Sequence, residues 1–276
     1  MSVSTQSRST VRFRAGAAQS HVDRLAVEAP LTLVLDGEVL VTTMRTPGSD
    51  TELVCGWLIN ESDVFQQGDI ATIQEFAGRS SESDSESKDM EDIDTVLVTL
   101  APGINGPRPK AFMTTSACGV CSSDILAAFA GPKADLAHEN WTLNASQCET
   151  MIEAMREHQK LFDKTGSLHA AALFTETGQV LFVREDVGRH NAVDKVVGKA
   201  YLEGNFPMTN HILTVSGRVS YEIVHKALTA SVAAIVAVSG PTTLAVDLAK
   251  EHGLVLIGFT REGTFNIYSG AEKVIM

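Results

Sequence analysis

Two cysteines three positions apart, Cys118 and Cys121, are the residues of this sequence best suited to chemistry. Cys-x-x-Cys spacing serves thiol redox reactions, sulfur transfer or half of a zinc site. A β-prone run over residues 111–115 precedes them, and Ser-Ser-Asp at residues 122–124 is a typical N-cap for an apolar helix over residues 125–130. The pattern predicts both thiols on a strand-to-helix turn, where a helix N-terminus favours the nucleophilic thiolate.

A structural zinc site is the first alternative to sulfur transfer, because such a site needs four ligands. The two remaining cysteines, Cys55 and Cys148, have no Cys or His at ligand spacing beside them, so we expect no structural metal. Cys55 lies within the apolar positions of a helix predicted after Pro47 and is interpreted as a core residue. A thioredoxin-like redox pair would open an early β-α-β unit, whereas this pair lies in the middle of the chain.

The composition is that of a soluble globular protein, with 276 residues, 44% hydrophobic and 20% charged. No apolar run approaches the ~20 residues of a membrane span, and the first residues lack the apolar region of a signal peptide. We therefore expect a cytoplasmic protein that does not bind membranes. The formal net charge of -12 argues against a nucleic-acid partner, which requires a basic face.

Shifts in composition divide the chain into three parts. Residues 1–24 are polar and lack a pattern, which predicts a disordered arm. Residues 25–145 form a smaller β-rich N-terminal part that contains the Cys-x-x-Cys turn. Within this part, residues 80–94 carry seven acidic residues and one lysine, and we interpret them as a disordered insertion. Residues 146–276 form an α/β core.

Turn and cap signals predict the local elements around these parts. Asp36-Gly37 between two apolar runs predicts a β-hairpin. Strands over residues 70–76 and 95–100 flank the acidic insertion, as the two arms of a long hairpin would. Ser146, three residues before Glu149, predicts a capping box for one helix that continues to residue 162.

From residue 168 onward, strands and helices alternate, which predicts a sheet that is covered by helices and is mostly parallel in its later part. The predicted strands are 168–174, 179–184, 211–216, 234–239 and 254–259, and the predicted helices are 190–203, 219–230 and 242–252. Two strands end in similar turns, Ser216-Gly217-Arg218 and Ser239-Gly240. Such turns direct free helix N–H groups to the edge where α/β sheets bind anionic ligands, or they simply close a β-α connection.

Two further features have both a functional and a structural interpretation. Residues 184–195 are the densest polar stretch, typical either of a site or of a salt-bridged helix start. His169 stands alone in an apolar strand, and for this residue we favour a place in the core.

Together these motifs resemble the formate dehydrogenase accessory sulfurtransferase family, FdhD. The motifs that carry the resemblance occur in the family's order and are Thr115–Cys121 (Thr-Ser-Ala-Cys-Gly-Val-Cys), Ser167–Ala172, Arg184–Lys195, Ser216–Glu222, Ser239–Thr242 and Gly258–Arg261 followed by Asn266–Tyr268. The resemblance covers roughly Ala29 to the C-terminus, apart from the acidic insertion.

The resemblance implies a cytidine-deaminase-like mixed sheet covered by helices, in a homodimer that acts as a sulfurtransferase. It implies that a cysteine desulfurase supplies sulfane sulfur as a persulfide on Cys118, with Cys121 as the second catalytic cysteine. The recipient would be the molybdenum or tungsten bis-guanine-dinucleotide cofactor of formate dehydrogenase, for which GDP is an analogue. The implied cofactor segment is Phe259, Thr260, Arg261, Glu262, Gly263 and Thr264, to which strand-turn geometry adds Ser216, Gly217, Arg218, Ser239 and Gly240.

One departure from the family and two rival functions qualify these expectations. The family often has Gly after the second cysteine and a Lys soon after, where this chain has Ser122, Ser123 and Asp124. A zinc-dependent deaminase needs His-x-Glu followed by Pro-Cys-x-x-Cys, and none of the eight histidines has Glu two positions later. A non-catalytic chaperone that only holds the cofactor is the other alternative, and bound sulfane sulfur would distinguish it from a transferase.

Overall fold

The computed structural model describes residues 3–62, 64–78, 93–107, 134–136 and 140–276. The strands are β1 Thr5–Arg14, β2 Ala17–Ala26, β3 Ala29–Leu35, β4 Glu38–Arg45, β5 Ile70–Phe76, β6 Asp94–Leu100, β7 Leu143–Asn144, β8 His169–Phe174, β9 Val180–Asp186, β10 Ile212–Val215, β11 Ala234–Ala237, β12 Val255–Arg261, β13 Thr264–Ser269 and β14 Val274–Ile275. The helices are α1 Asp50–Glu61, α2 Ser146–Glu157, α3 Lys160–Thr165, α4 Arg189–Leu202, α5 Tyr221–Thr229 and α6 Thr243–Glu251.

A six-stranded mixed sheet in the order β13-β12-β11-β10-β8-β9 forms the centre of the molecule. Strands β10, β11 and β12 are parallel, and the other pairings are antiparallel. Alternate residues of one strand belong to different buried clusters: Leu213 packs with α4, α5 and α6, whereas Ile212 packs with α2. The sheet is therefore covered on both faces, and the predicted fold class is confirmed.

The smaller N-terminal sheet has the order β4-β3-β6-β5. Its first hairpin turns at Asp36-Gly37, both in the left-handed region (φ 49° and 90°), as this dipeptide predicts. Strands β5 and β6 pair antiparallel on either side of the acidic insertion. One buried cluster holds residues of both this sheet and the α/β core, so the two parts share a hydrophobic core.

The backbones of helices α1 and α4 are in direct contact where the helices cross, because each helix has a glycine there. A Cβ on Gly56 would lie 1.9 Å from the carbonyl oxygen of Asp194, and one on Gly198 would lie 1.8 Å from that of Glu52. No larger residue fits without moving a helix. This contact fixes the N-terminal part against the middle of α4.

The predicted disorder of residues 1–24 is wrong for the described residues of that segment. Strands β1 and β2 form a regular hairpin that turns at Ala15-Gly16, both in the left-handed region (φ 51° and 85°). Ser4 anchors its base, because the Ser4 hydroxyl donates to the carbonyl of Pro47 (2.8 Å) and its own carbonyl accepts from Val27 N–H (2.9 Å). Sequence reasoning missed this hairpin because Ala-Gly is a weaker turn signal than Asn-Gly or Asp-Gly.

The helix predicted over residues 146–162 is two helices, α2 and α3, separated at His158 and Gln159. The predicted capping box is also wrong, since the Asn144 side chain accepts from the N–H of Ser146 (2.9 Å). The carboxylate of Glu185 accepts from the N–H groups of Leu161 and Phe162 (2.9 and 2.7 Å) and caps α3. A residue distant in sequence thus begins a second helix where local spacing predicted continuation.

Two predictions from the sequence fall largely outside the described residues. These are the acidic insertion, except for Ile93 and Asp94, and the Cys118–Cys121 turn with its flanking strand and helix. Asp94 does not belong to a disordered segment, because it opens β6 and pairs with the buried Arg45 (2.6 Å). Within the described residues, no helix is long and apolar enough to cross a membrane.

Candidate functional site

The carboxyl ends of the three parallel strands bring the two Ser-Gly turns together at one edge of the central sheet. Ser216-Gly217 follows β10, and Ser239-Gly240 follows β11. The N–H of Val219 donates to the carbonyl of Gly240 (3.2 Å), and the N–H of Thr242 donates to the carbonyl of Val219 (2.9 Å). The turns therefore form one continuous edge, from which α5 and α6 begin.

Phe259 on β12 forms one wall of this edge. Its N–H donates to the carbonyl of Ser239 (3.3 Å), and its backbone adopts the left-handed region (φ 54°). The ring packs so closely on Gly240 that a Cβ there would lie 2.6 Å from the Phe259 Cζ atom. Because the side chain is still 43% exposed, its ring can contact a bound ligand as well as the turn.

The remainder of the predicted cofactor segment forms the β12-β13 turn beyond this wall. Arg261, Glu262, Gly263 and Thr264 are exposed, and Gly263 N–H donates to the carboxylate of Glu149 on α2 (2.9 Å). Thr260 is different because only 1% of the residue is exposed. The Thr260 side chain therefore does not face a ligand at the surface, whereas Arg261 has a free path to solvent.

His169 also lies at this edge, rather than in the core position that we favoured. Strand β8 runs antiparallel to β10 and so begins where β10 ends. The His169 Nδ1 atom lies 3.5 Å from the Ser216 hydroxyl oxygen, which accepts from Ala170 N–H (2.9 Å). Partial burial, followed by the charges of Arg189 and His190, lowers the pKa of His169.

The first turn of α4 contributes Arg189 and His190 to the same edge. The Nε2 atom of His190 lies 2.8 Å from Glu222 and 3.2 Å from the hydroxyl of Ser220, both at the start of α5. The hydrogen bond from His190 is the main cause that lowers the pKa of Glu222, against the effect of burial. Sequence reasoning singled out the stretch that contains both residues but assigned them no role.

Most of the contacts made by the polar stretch Arg184–Lys195 hold elements of the fold together. Asp186 is fully buried and accepts hydrogen bonds from Gly188 N–H (2.8 Å) and Thr46 N–H (3.1 Å), and it pairs with Lys195 (2.7 Å). Arg184 forms a bidentate pair with Glu52 on α1. These contacts fix the start of α4 against the N-terminal sheet, so Asp186 positions Arg189 and His190 at the sheet edge.

The two described cysteines are not suited to nucleophilic chemistry. Cys55 and Cys148 are fully buried, and burial raises the pKa of the Cys55 thiol to about 12 and that of Cys148 to about 11. At neutral pH both therefore remain protonated. The core position that the sequence predicted for Cys55 is confirmed.

Fold and site together define an α/β protein in which two Ser-Gly turns are joined at the carboxyl ends of the parallel strands. The chain belongs to the FdhD/NarQ family, whose model matches residues 26–275. The chain is similar to proteins named "Sulfur carrier protein FdhD" in several organisms. The one from Streptomyces coelicolor is 41% identical over 99% of this chain and 96% of its own length, and the one from Mycobacterium tuberculosis is 39% identical over 99% and 100%.

A solved structure supports the fold independently. It is that of a protein described as a formate dehydrogenase accessory protein from Desulfotalea psychrophila, and it covers 99% of this chain and 100% of its own. The TM-score is 0.77 at 22% sequence identity, so the likeness concerns the fold alone.

Proposed function

We propose that this chain is a sulfur carrier for the maturation of formate dehydrogenase. It takes sulfane sulfur from a cysteine desulfurase as a persulfide and delivers it to the molybdenum or tungsten bis-guanine-dinucleotide cofactor. Membership of the FdhD/NarQ family over residues 26–275, with relatives named as sulfur carriers along nearly the whole chain, is the observation that carries this proposal. The same resemblance carries our expectation of a homodimer that acts in the cytoplasm.

Cys118 is the proposed acceptor of sulfur. Its thiolate attacks the terminal sulfur of the desulfurase persulfide, a new S–S bond forms on Cys118, and the donor cysteine leaves as a thiolate. Burial and a raised pKa argue against Cys55 and Cys148 in this role. Cys121, at the spacing of a resolving thiol, would tune or release the sulfur.

The sheet edge is the proposed site for the guanine nucleotide end of the cofactor. The exposed ring of Phe259 above Gly240 offers a surface on which a base can stack. The joined Ser-Gly turns place the starts of α5 and α6 side by side, which favours the negative charge of a nucleotide. The cofactor in this scheme is cargo, so its metal needs no ligand from the chain to be bound at this edge.

Intact mass after incubation with a cysteine desulfurase and cysteine tests the sulfur step. We expect native protein to gain about 32 Da, one sulfur, which a reducing agent removes. Cys118→Ala should abolish the gain and the activation of formate dehydrogenase, whereas Cys121→Ala, the matched control, should retain the mass gain and lose less activity.

Three outcomes would contradict this scheme. A mass gain that persists in Cys118→Ala but disappears in Cys121→Ala would exchange the roles of the two cysteines. If native protein activates formate dehydrogenase without gaining sulfur, the chain is a cofactor chaperone rather than a transferase. Zinc bound at one ion per chain would instead favour the zinc-site alternative.

A further inference from the structure

The hairpin β1-β2, residues 5–26, extends from the rest of the chain as an arm. Every residue from position 6 to position 20 is exposed. The base of this hairpin arm is fixed, because Ser4 contacts Pro47 and Val27 and because β2 lies against α3. An isolated two-stranded hairpin is marginally stable in water at best, so a partner that covers the hairpin arm would stabilise it.

The two faces of the hairpin arm differ in character, because side chains alternate across a strand. The register places three large apolar side chains on one face, and these are Val11, Phe13 and Val22, which are 70%, 74% and 66% exposed. The opposite face carries Arg8, Arg12 and Arg14 together with His21 and Asp23. His21 and Asp23 are half-buried, so this polar face is turned toward the chain and the apolar face is turned away from it.

The outer face of the N-terminal sheet is a second apolar surface that the chain leaves exposed. Leu33 and Val96 point to the inner face and belong to the shared core. The register places four apolar side chains on the outer face, and these are Val34, Val39, Phe76 and Leu97. Val39, Phe76 and Leu97 are 47%, 50% and 37% exposed. Apolar surface that is grouped in this way is typical of a protein–protein contact.

The charges of these two regions are complementary. Residues 5–26 contain four arginines and one acidic residue. The described residues 29–62, 64–78 and 93–107 contain eight acidic residues and one basic residue, Arg45, which is buried and paired. Arg24 lies on the apolar face of the hairpin arm beside Val22, and the exposed Asp36 and Glu38 lie beside Val39. Opposite charges at the edges of two apolar surfaces favour their association and fix its orientation.

The hairpin arm does not cover the sheet of its own chain. Strand β2 continues into β3 through Val27 and Glu28 alone, and the hydrogen bond from Val27 to Ser4 closes the base. Phe13 and Phe76 therefore both remain exposed in one copy. A second copy carries the same pair of surfaces, and a two-fold axis lets each hairpin arm reach the sheet of the other copy.

We propose that two copies of this chain exchange their hairpin arms, so that the apolar face of each hairpin arm packs on the outer face of the other copy's N-terminal sheet. The inference goes beyond the proposed sulfur transfer and does not depend on it, and it locates the interface of the expected homodimer. The exchange forms two equal contacts, which doubles the area that one small hairpin arm buries. Stable interfaces bury roughly 1,200–2,000 Å² in total.

Sedimentation equilibrium of the full chain tests the exchange. Native protein should be a dimer, and its dissociation constant should rise with salt because the charge attraction is screened. Phe13→Asp places an acid against the acidic sheet, and Phe76→Lys places a base against the basic hairpin arm, so each should weaken the dimer about ten- to a hundred-fold. Val11→Asp should repeat the effect of Phe13→Asp. The matched control is Leu181→Lys, a 39% exposed apolar position on β9 that belongs to neither surface, and it should dimerise like native protein.

An equimolar mixture of Phe13→Asp and Phe76→Lys protein shows whether the contact is reciprocal. One contact of the mixed dimer is native, and the other sets the introduced acid against the introduced base, so the mixture should dimerise more tightly than either variant alone. A Phe76→Lys protein that dimerises like native protein would overturn the inference, because the hairpin arms would then pack on each other.

Two further results would overturn the exchange. These are a monomeric native protein and a dimer that neither Phe13→Asp nor Val11→Asp weakens. Circular dichroism confirms that each variant is folded, which exposed positions should permit. The sulfur step is measured separately by intact mass. Native protein that dimerises through the hairpin arm but gains no sulfur would contradict the proposed function alone, and native protein that gains sulfur as a monomer would contradict the exchange alone.

Discussion

The polar stretch Arg184–Lys195 supplies two neighbouring regions with opposite character. Asp186 and Lys195 are buried and paired with each other, and Lys195 donates in addition to the carbonyl of Thr46 (2.9 Å). Around Arg189, a few residues along the same chain, the buried Nε atom of the guanidinium has no hydrogen-bond partner among the described residues. A satisfied network holds elements together, whereas a buried donor without an acceptor is costly unless a ligand supplies one.

The two regions depend on each other. Asp186 accepts from the N–H of Gly188, the residue that precedes α4, and so orients the turn that presents Arg189. Asn191 adds to this hydrogen-bond network, because its side chain donates to both Asp186 (3.0 Å) and the carbonyl of Met44 (2.8 Å). Loss of the Asp186 network should therefore affect both stability and the placement of Arg189, whereas a change of the Arg189 side chain alone should leave this network in place.

Loss of the buried cation should give the largest effect. Lys195→Met keeps most of the side-chain volume but leaves Asp186 as an uncompensated buried charge, so the free energy of unfolding should fall by about 3–5 kcal/mol. Urea denaturation measures this change. The control Lys199→Ala removes an i,i+4 pair with Glu203 in a more exposed position and should cost less than about 1 kcal/mol. Equal losses in the two variants would show that burial does not distinguish the pairs.

A second cluster of paired charges surrounds the buried Arg45, and its disruption should have an intermediate effect on the free energy of unfolding. Asp94→Ala removes the ion pair with Arg45 and the hydrogen bond from Gly78 N–H (3.0 Å), and it should cost about 1.5–3 kcal/mol because Asp50 still pairs with Arg45. Deletion of residues 80–92, which spares Asp94, should change stability by less than about 0.5 kcal/mol and leave sulfur loading unchanged. A large fall in melting temperature on this deletion would show that the acidic segment packs against the fold.

The smallest expected effect is a dependence of stability on pH that arises at His169. Burial and neighbouring cations hold the pKa of His169 below its unfolded value near 6.5, so the unfolded chain takes up the proton first as the pH falls. The protein should therefore lose stability below about pH 6.5 and gain nothing from His169 above it. His169→Gln should reduce this acid loss when urea midpoints at pH 7.5 and 5.5 are compared. An unchanged slope would assign the acid sensitivity to other groups.

Local signals in the sequence determined much of the architecture. Alternating strands and helices predicted the central sheet, Asp36-Gly37 predicted the first turn of the N-terminal sheet, and apolar spacing placed Cys55 in the core. Family motifs singled out the Ser-Gly turns and the segment that begins at Phe259. These features depend on neighbours a few residues away, which periodicity and turn chemistry report directly.

Only the tertiary structure decided which polar residues are structural and which are available for a ligand. One partner of Asp186 and one of Asp194 lie more than a hundred positions away, at Thr46 and Asn60 respectively. His169 reached the sheet edge because β8 runs antiparallel to β10, a pairing that an isolated apolar strand does not reveal. Arg184 and Arg189 are alike in sequence, and they differ because a carboxylate of α1 lies within reach of one guanidinium, whereas the buried Nε atom of the other has no acceptor among the described residues.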